Sequence, residues 1–178
     1  MGTPDIVWVL LETELGNIEI AVDRAHAPLT AANFLHYVDG GFYNGGRFHR
    51  TVTPGNQPND AIRIEVLQGG VDPARKAECG PPIVLERTTS TGLAHRDGTI
   101  SMARFAPDSA VSDIFICIGD QPTLDFGGLR NPDGQGFAAF GEVVAGMGVV
   151  RTIQGQPADG QSLTPPIAIT RARRVARL

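Results

Sequence analysis

Residues 47–70 read RFHRTVTPGNQPNDAIRIEVLQGG, and this stretch is the most informative part of the chain. Arg47 to Val52 reads as a strand, and Ile64 to Leu67 reads as another that runs into Gln68 and a pair of glycines. Between them, Thr53 to Asp60 contains two prolines, a glycine and two asparagines, a composition typical of a loop. Strands separated by such loops are typical of a mainly antiparallel β domain.

The same alternation of short apolar runs and turn residues continues on both sides of this stretch. Ile6 to Leu11 and Ile18 to Val22 are rich in β-branched residues, and Leu15-Gly16-Asn17 between them predicts a hairpin. Further short strands are predicted at Ile83 to Leu85, around Ile100, at Ile114 to Ile118, at Ala138 to Val144 and at Ile167 to Ile169, with a long loop from Gln121 to Gly136.

Two segments have helical spacing instead. Pro28 suits the first turn of a helix, whose apolar face is Phe34, Tyr37 and Val38, and Gly40-Gly41 ends it. Met147 to Ile153 predicts a second short helix with Val149, Val150 and Ile153 facing inward.

About eight strands and two helices together predict a mainly β fold. We expect a closed antiparallel eight-stranded barrel with two capping helices, because closure removes exposed sheet edges. At 178 residues the chain fits a single domain spanning 1–178 that can bury a sizeable core.

Composition excludes several classes of protein. Hydrophobic residues make up 42% and charged residues 19%, which is globular rather than disordered, and the net charge of −4 argues against binding nucleic acid through phosphate neutralisation. Four arginines near the C-terminus, Arg171, Arg173, Arg174 and Arg177, are expected to be the solvent face of a last strand, with a contact to a polyanion or a membrane as the alternative.

No apolar run is long enough for a membrane span, and no signal peptide is visible at the N-terminus. We therefore expect a cytoplasmic protein, or a periplasmic one if a signal peptide has been removed. Cys79 and Cys117 lack metal-binding spacing and are expected to be free thiols, with Cys117 in the core. The four histidines are too scattered to predict a zinc site.

An ordered set of motifs resembles the cyclophilin family of peptidyl-prolyl isomerases, in a bacterial-looking form with a divergent active site. The motifs are Ala27-Pro28-Leu29-Thr30, Asn33-Phe34, Phe42-Tyr43-Asn44-Gly45, Phe48-His49-Arg50, Gln68-Gly69-Gly70, Ser101-Met102-Ala103, Phe115-Ile116 and Phe140-Gly141. Each tripeptide alone is weakly specific, but the order of the motifs, over about ninety residues from Phe48 to Gly141, is characteristic. The resemblance covers nearly the whole chain.

The resemblance implies a catalytic arginine, Arg50, and a set of substrate-binding residues. That set is Gln68, Val66, Ala103, Arg104, Asp113, Phe115, Leu124, Phe137 and Glu65. Several depart from the family's pattern: Val66 stands where Met is usual, Glu65 at a pocket Phe, Asp113 at a Gln, Arg104 at an Asn and Phe137 at a His. Thr123 stands where many members have Trp, so weak binding of cyclosporin-type ligands is expected. Glu65 is expected at the rim of the pocket, and it would need a partner such as Arg104 or Arg63 if it were buried.

The resemblance implies isomerisation of Xaa-Pro bonds in peptides and unfolded proteins. This chemistry needs no metal or other cofactor, since no bond is broken and no proton moves. We expect a monomer that binds neither nucleic acid nor a membrane. His49 alternates with Arg50 on its strand, so a structural role on the opposite face is expected, and Phe48 and Phe140 are expected in the core.

Two alternatives remain open. The first is a catalytically weak cyclophilin-fold module that binds proline-containing segments, which the changes at Glu65, Asp113 and Phe137 favour. The second is an assembly protein that works through the stretch from Gly55 to Ile64, which looks like an insertion near the active site.

Overall fold

The computed structural model describes residues 5–177, so the outermost residues of the predicted domain 1–178 and the start of the chain lie outside the description. It contains nine strands. They are β1 (Ile6–Thr13), β2 (Gly16–Asp23), β3 (Gly46–Val52), β4 (Val66–Gly70), β5 (Thr99–Met102), β6 (Ile114–Cys117), β7 (Ala139–Ala145), β8 (Ala158–Asp159) and β9 (Ser162–Val175).

Eight of these strands form a closed ring. Their order is β1-β2-β7-β5-β6-β4-β3-β9, and β9 pairs back with β1, all antiparallel. The two-residue β8 is an appendage on β9. The predicted closed eight-stranded antiparallel barrel is therefore confirmed. Each wall strand has a neighbour on both sides, which leaves no long edge exposed.

The first hairpin is as predicted. Along β1 every second residue is buried, and the β-branched residues of β2 oppose them across the ladder. The two strands meet at the pair Thr13 and Gly16. Gly16 has a φ of +137°, and the Thr13 hydroxyl donates a hydrogen bond to its carbonyl. A conformation that favours glycine therefore sets the register of the hairpin.

Three α-helices accompany the barrel in residues 5–177: α1 (Pro28–Asp39), the single turn α2 (Thr88–Thr91) and α3 (Met147–Gln154). Short 3-10 helices lie at Pro54–Asn56, Pro73–Glu78 and Pro122–Leu124. α1 begins at Pro28 and ends at Gly40, as predicted, and its buried face includes Phe34, whose ring lies 5.1 Å from that of Phe140. α3 buries Val150 and Ile153 fully but Val149 only in part. None of the helices in residues 5–177 is long and apolar enough to cross a membrane.

Three element predictions were wrong in extent. Ile83 forms only an isolated bridge with Ala110 instead of a strand. β4 begins at Val66 rather than at Ile64, and β9 is far longer than the predicted run from Ile167 to Ile169. β9 is long because it borders both β1 and β3 and so completes the barrel.

The C-terminal arginines are exposed or partly exposed, with Arg173 and Arg174 in β9 and Arg177 beyond its end. Arg173 pairs with Glu12 at 3.6 Å, and Arg174 forms a bidentate contact with Asp39. Arg177 lies over the ring of Trp8. These carboxylates already balance much of the positive charge, so the arrangement favours a solvated strand face over a polyanion site.

Apolar side chains fall into two separate clusters. The larger one fills the barrel and contains Phe48 and Phe140, both fully buried as predicted. The smaller one lies on the other face of the barrel wall and consists of Val52, Ile64, Val66, Phe115, Cys117 and Leu124. Successive residues of a strand face opposite sides, so β4 and β6 supply both clusters. The smaller cluster underlies the candidate site.

Both cysteines are free thiols. Cys117 is buried in the smaller cluster, and this burial raises the pKa of its thiol well above the usual range. Cys79 is partly buried, and its sulfur lies 3.7 Å from the carbonyl oxygen of Arg75. Neither thiol is therefore placed to form a disulfide with the other.

Candidate active site

A cleft of about 720 Å³ lies over the smaller apolar cluster. Nearly all of the predicted site residues line it: Arg50, Val66, Gln68, Ala103, Arg104, Asp113, Phe115, Leu124 and Phe137. These residues come from β3, β4 and β6 and from the segments after β5 and before β7. Barrel closure brings together positions that are as much as 87 residues apart in the chain (137 − 50).

Glu65 is the exception, and its predicted place in the pocket was wrong. It does not line the cleft, and its carboxylate accepts a hydrogen bond from Gln154 Nε2 at 3.2 Å. Ile64 lines the cleft instead, together with Val66. Residues two apart share a face of an extended segment, whereas Glu65 between them faces the other way. Its proposed partners are engaged elsewhere, Arg104 with Asp133 and Arg63 with the carbonyl of Pro54.

Arg50 is held by two glutamines. Its Nη1 donates to Gln68 Oε1 at 2.9 Å, and its Nε donates to Gln161 Oε1 at 2.9 Å. Its Nη2 has no hydrogen-bond partner among residues 5–177. This atom is also not fully buried. The guanidinium is therefore fixed in orientation and retains accessible donors.

Burial lowers the pKa of Arg50, and the charge of Arg130 lowers it further, while Asp60 opposes both. Arginine nonetheless stays protonated, because its ordinary pKa lies far above neutrality. The cleft therefore contains a permanent, partly desolvated positive charge.

A β-bulge determines the side of the barrel wall toward which the His49 side chain points. Phe48 pairs with Gly69 and Arg50 with Gln68, so β3 has an extra residue at His49. His49 Nε2 lies 3.7 Å from Asp113 Oδ2, on the side of the wall that carries the cleft. The prediction that His49 faces away from Arg50 was wrong, because a bulge interrupts the alternation on which it relied.

Gln68 links Arg50 to Asp113. Its amide nitrogen donates to Asp113 Oδ2 at 3.1 Å, while its amide oxygen accepts from Arg50. The two glycines that follow make room for this arrangement. A Cβ on Gly69 would lie 2.8 Å from the Phe48 ring, and one on Gly70 would lie 2.5 Å from Asp113 Oδ1. Gly69 and Gly70 are thus required by close packing on both faces of β4.

The floor of the cleft is apolar. Phe115 is nearly fully buried and makes an edge-to-face contact with Phe137 at 5.6 Å between ring centroids. Val66 and Leu124 complete the cluster with Ile64. Such a surface can accept a compact apolar ring, since its burial removes apolar area from water.

His95 supports Phe115 from behind. Its ring stacks on Phe115 at 5.9 Å, and its nitrogens contact Asp125 Oδ1 at 2.7 Å and Ser101 Oγ at 2.9 Å. Burial raises the pKa of Asp125, but hydrogen bonds from the side chain and backbone of His95 outweigh burial, and the net pKa is below the usual value. Ser101 is completely buried, so this Asp–His–Ser arrangement is not an accessible nucleophile.

The side chain of Arg104 is fixed by contacts within the protein, whereas its backbone N–H and carbonyl have no hydrogen-bond partner among residues 5–177. Its guanidinium binds Asp133 bidentately, contacts the carbonyl of Gly136 and lies 4.7 Å over the Phe137 ring. The side chain is only 1% exposed. Within the described chain, neither the N–H nor the carbonyl of Arg104 has a hydrogen-bond partner. Its backbone is therefore available to an extended peptide.

Several residues of the site were missed from the sequence, and Ile64, Gln161 and Arg130 matter most to the arrangement of the site. Ile64 could have been found from its alternation with Val66. Gln161, which holds Arg50, and Arg130, which lines the cleft, lie in loops far along the chain, and no local pattern marks them.

Comparison with known proteins identifies the family. A family model described as "Cyclophilin type peptidyl-prolyl cis-trans isomerase/CLD" matches residues 8–174. The chain belongs to the cyclophilin family. It is 43% identical over 149 residues to peptidyl-prolyl cis-trans isomerase A of Dickeya dadantii (strain 3937), which covers 82% of this chain and 70% of that protein. It is 35% identical over 148 residues to peptidyl-prolyl cis-trans isomerase B of Escherichia coli (strain K12), covering 83% of this chain and 84% of that protein.

Solved structures agree with this cyclophilin on the fold. A crystal structure of a cyclophilin type peptidyl-prolyl cis-trans isomerase from Cryptosporidium parvum has a TM-score of 0.77 at 21% identity, with 97% of this chain and 99% of that chain covered. The same protein in the presence of the dipeptide Ala-Pro gives a TM-score of 0.75. The predicted enzyme class, a peptidyl-prolyl cis-trans isomerase, is confirmed by the family and by its bacterial relatives.

Proposed function

We propose that this cyclophilin isomerises Xaa-Pro bonds in peptides and unfolded proteins, and that Arg50 stabilises the twisted amide. The observation that carries the proposal is the fixed guanidinium of Arg50, with Nη2 unpaired among residues 5–177, beside an apolar floor. The site supplies both a donor and a surface for the proline ring, which are the two elements that the reaction needs.

The chemistry follows from the electronic structure of the amide. The barrier to rotation is about 18–20 kcal/mol, because the C–N bond has partial double-bond character. In the twisted state the proline nitrogen becomes pyramidal and regains a lone pair. A guanidinium can donate a hydrogen bond to that lone pair, but the planar amide cannot accept one there. Such an interaction lowers the barrier because it is made only in the transition state.

The other residues bind the substrate. The proline ring lies against Phe115, Leu124 and Val66, while the free N–H and carbonyl of Arg104 pair with the peptide backbone. Gln68 orients Arg50 and is itself oriented by Asp113. Asp113 thus takes part in the polar side of the site despite its departure from the family's glutamine.

Support for proline-containing substrates comes from two sources. The bacterial relatives are named peptidyl-prolyl cis-trans isomerases, and the Cryptosporidium parvum structure was determined in the presence of Ala-Pro. Nothing in the proposed chemistry calls for a metal, since the reaction rotates a bond without breaking one.

The test is prolyl exchange in a short Xaa-Pro peptide, followed by NMR with wild type and with Arg50→Ala. Wild type is expected to accelerate exchange, and folded Arg50→Ala is expected to lose at least about tenfold, or roughly 1.4 kcal/mol of barrier. No acceleration by folded wild type at millimolar peptide would refute the proposal. Peptide line broadening without exchange would then favour a proline-binding module.

A further inference from the structure

The cleft carries more positive than negative charge. Arg50, Lys76, Arg104 and Arg130 line it, whereas Asp113 is the only carboxylate among its lining residues in the described chain. Arg104 is neutralised by its bidentate contact with Asp133. Asp60 lies 3.5 Å from Arg130, so the other three cations face two carboxylates, Asp60 and Asp113, and the surface beside the apolar floor stays net positive.

Arg130 is held in place by the loop from Gly55 to Ile64. Its Nη1 donates to Gln57 Oε1 at 2.9 Å and to the carbonyl of Ile62 at 2.7 Å. Gln57 is only 1% exposed, and it also bonds to the carbonyl of Thr53 and to the backbone of Ile64. The loop from Gly55 to Ile64 therefore forms a rigid support for a cationic side chain in the wall of the cleft.

The remaining donors of Arg130 are unused. Both of its hydrogen bonds go through Nη1, and its contact with Asp60, at 3.5 Å, goes through the same atom. Nε and Nη2 of Arg130 make no hydrogen bond or ion pair within residues 5–177, and neither atom is fully buried. An edge with Nε and Nη2 matches the two oxygens of a carboxylate.

The position of Arg130 near Arg50 adds a second argument. Arg130 and Arg50 both line the cleft. Burial lowers the pKa of Arg50, the charge of Arg130 lowers it further, and Asp60 opposes both. Two like charges facing one cleft repel, and an anionic group bound beside them relieves that repulsion. The site is therefore more complementary to a peptide with a carboxylate than to a neutral one.

We propose that Arg130 is a specificity-determining residue that binds the carboxylate of an Asp or Glu close to the substrate proline. This inference rests on the proposed isomerase function and adds the class of preferred substrate. It also gives the loop from Gly55 to Ile64 a role, because this loop holds the guanidinium that binds the acidic residue.

The test uses paired peptides that carry Glu or Gln at each of the two positions before and the two positions after proline. The measured quantity is the ratio of kcat/KM for the Glu peptide to that for the Gln peptide, from NMR exchange. Wild type is expected to favour Glu by about tenfold in at least one position. Arg130→Gln is expected to reduce that ratio to near one, and the ratio within each variant cancels any general loss of activity.

Three further measurements keep the test decisive. Asp60→Asn removes the carboxylate nearest Arg130 without touching its anchoring hydrogen bonds and is expected to increase the preference. Arg63→Gln, on the same loop but outside the cleft, is the matched control and is expected to leave the ratio unchanged. Added salt is expected to reduce the preference, because it screens partly exposed charges.

The failures of the two proposals are distinguishable. Gln peptides turned over by wild type with a Glu-to-Gln ratio within twofold of one at every position would overturn the role of Arg130 alone. A preference that survives in folded Arg130→Gln would do the same. No turnover of any peptide would overturn the isomerase proposal and this inference with it. If Arg130→Gln does not fold, the response of the ratio to Asp60→Asn decides, and no increase would overturn the inference.

Discussion

Replacing Gln161 with alanine should lower the catalytic rate without displacing Arg50 from the cleft altogether. Gln161 accepts the hydrogen bond from Arg50 Nε and donates one to the carbonyl of Asn56, so alanine removes both side-chain contacts. The backbone bond from Thr51 N–H to the Gln161 carbonyl remains, as does the bond from Arg50 to Gln68. Arg50 then keeps one of its two orienting acceptors.

The size of the effect follows from the strength of the lost bond. A hydrogen bond to a charged group contributes about 1.5–3 kcal/mol, and the lower end applies because Gln161 is only partly buried. If that energy orients Arg50 toward the twisted amide, kcat falls by about tenfold. The loss must be smaller than that of Arg50→Ala, since Gln68 still holds the guanidinium.

NMR exchange of an Xaa-Pro peptide at varied peptide concentration separates kcat from KM for Gln161→Ala. We expect kcat to fall and KM to change little, because Gln161 positions Arg50 and does not line the cleft. Gln161→Asn is expected to recover part of the rate if its shorter amide still reaches Arg50 Nε. Gln156→Ala, which removes a partly exposed glutamine that donates a hydrogen bond to the carbonyl of Thr152, is the matched control. An unchanged kcat in folded Gln161→Ala would refute the positioning role.

Three other predictions test separate parts of the site. Glu65→Gln should leave the rate of prolyl exchange unchanged. Ile64→Ala should instead raise KM and lower the free energy of unfolding by about 2 kcal/mol, measured by urea unfolding. The reverse pattern would show that Glu65, and not Ile64, lines the pocket. The lowered pKa of Asp125 means that its ionised form stabilises the fold above the unfolded carboxyl pKa of about 3.9, and that this contribution is lost as pH falls through the lower folded pKa. Asp125→Asn should therefore be less stable at neutral pH and lose less stability on acidification, which urea unfolding from pH 7 downward would show; parallel curves for the two proteins would contradict it. Because the motifs predict Thr123 at the position of the family's tryptophan, a cyclosporin titration should give only weak binding, and nanomolar affinity would be inconsistent with this.

Local patterns in the sequence were sufficient for most of the barrel. Alternating burial and a glycine turn define the first hairpin, and Pro28 with Gly40 defines the limits of α1. These features depend on neighbouring residues, so short-range rules describe them well. The number of predicted strands and the family motifs then indicated a closed barrel.

The errors have a common physical origin. In an extended segment a shift of one residue reverses the face of a side chain, and this exchanged Glu65 with Ile64. A bulge does the same without any shift in alignment, and it placed His49 on the side of Arg50. Neither a bulge nor the start of a strand has a strong local signal in this chain.

Contacts between distant loops were beyond prediction for another reason. Arg50 and Gln161 are 111 residues apart, and Gln57 and Arg130 are 73 apart. Both pairs form only because the closed barrel brings the loops at one end together. Neither hydrophobic periodicity nor turn propensity describes such contacts, yet they determine how the two guanidiniums are held.

The central claim is that Arg50 acts on the twisted amide and not on the bound planar peptide. Its most direct test compares wild type with Arg50→Lys in one set of NMR line-shape measurements that yields both the dissociation constant of the peptide and the exchange rate of the bound state. Lysine keeps the positive charge but loses the rigid fork of donors. The account predicts a bound-state exchange rate reduced by about tenfold or more with little change in the dissociation constant. An unchanged exchange rate with weaker peptide binding would contradict it, since Arg50 would then serve only to hold the ground state.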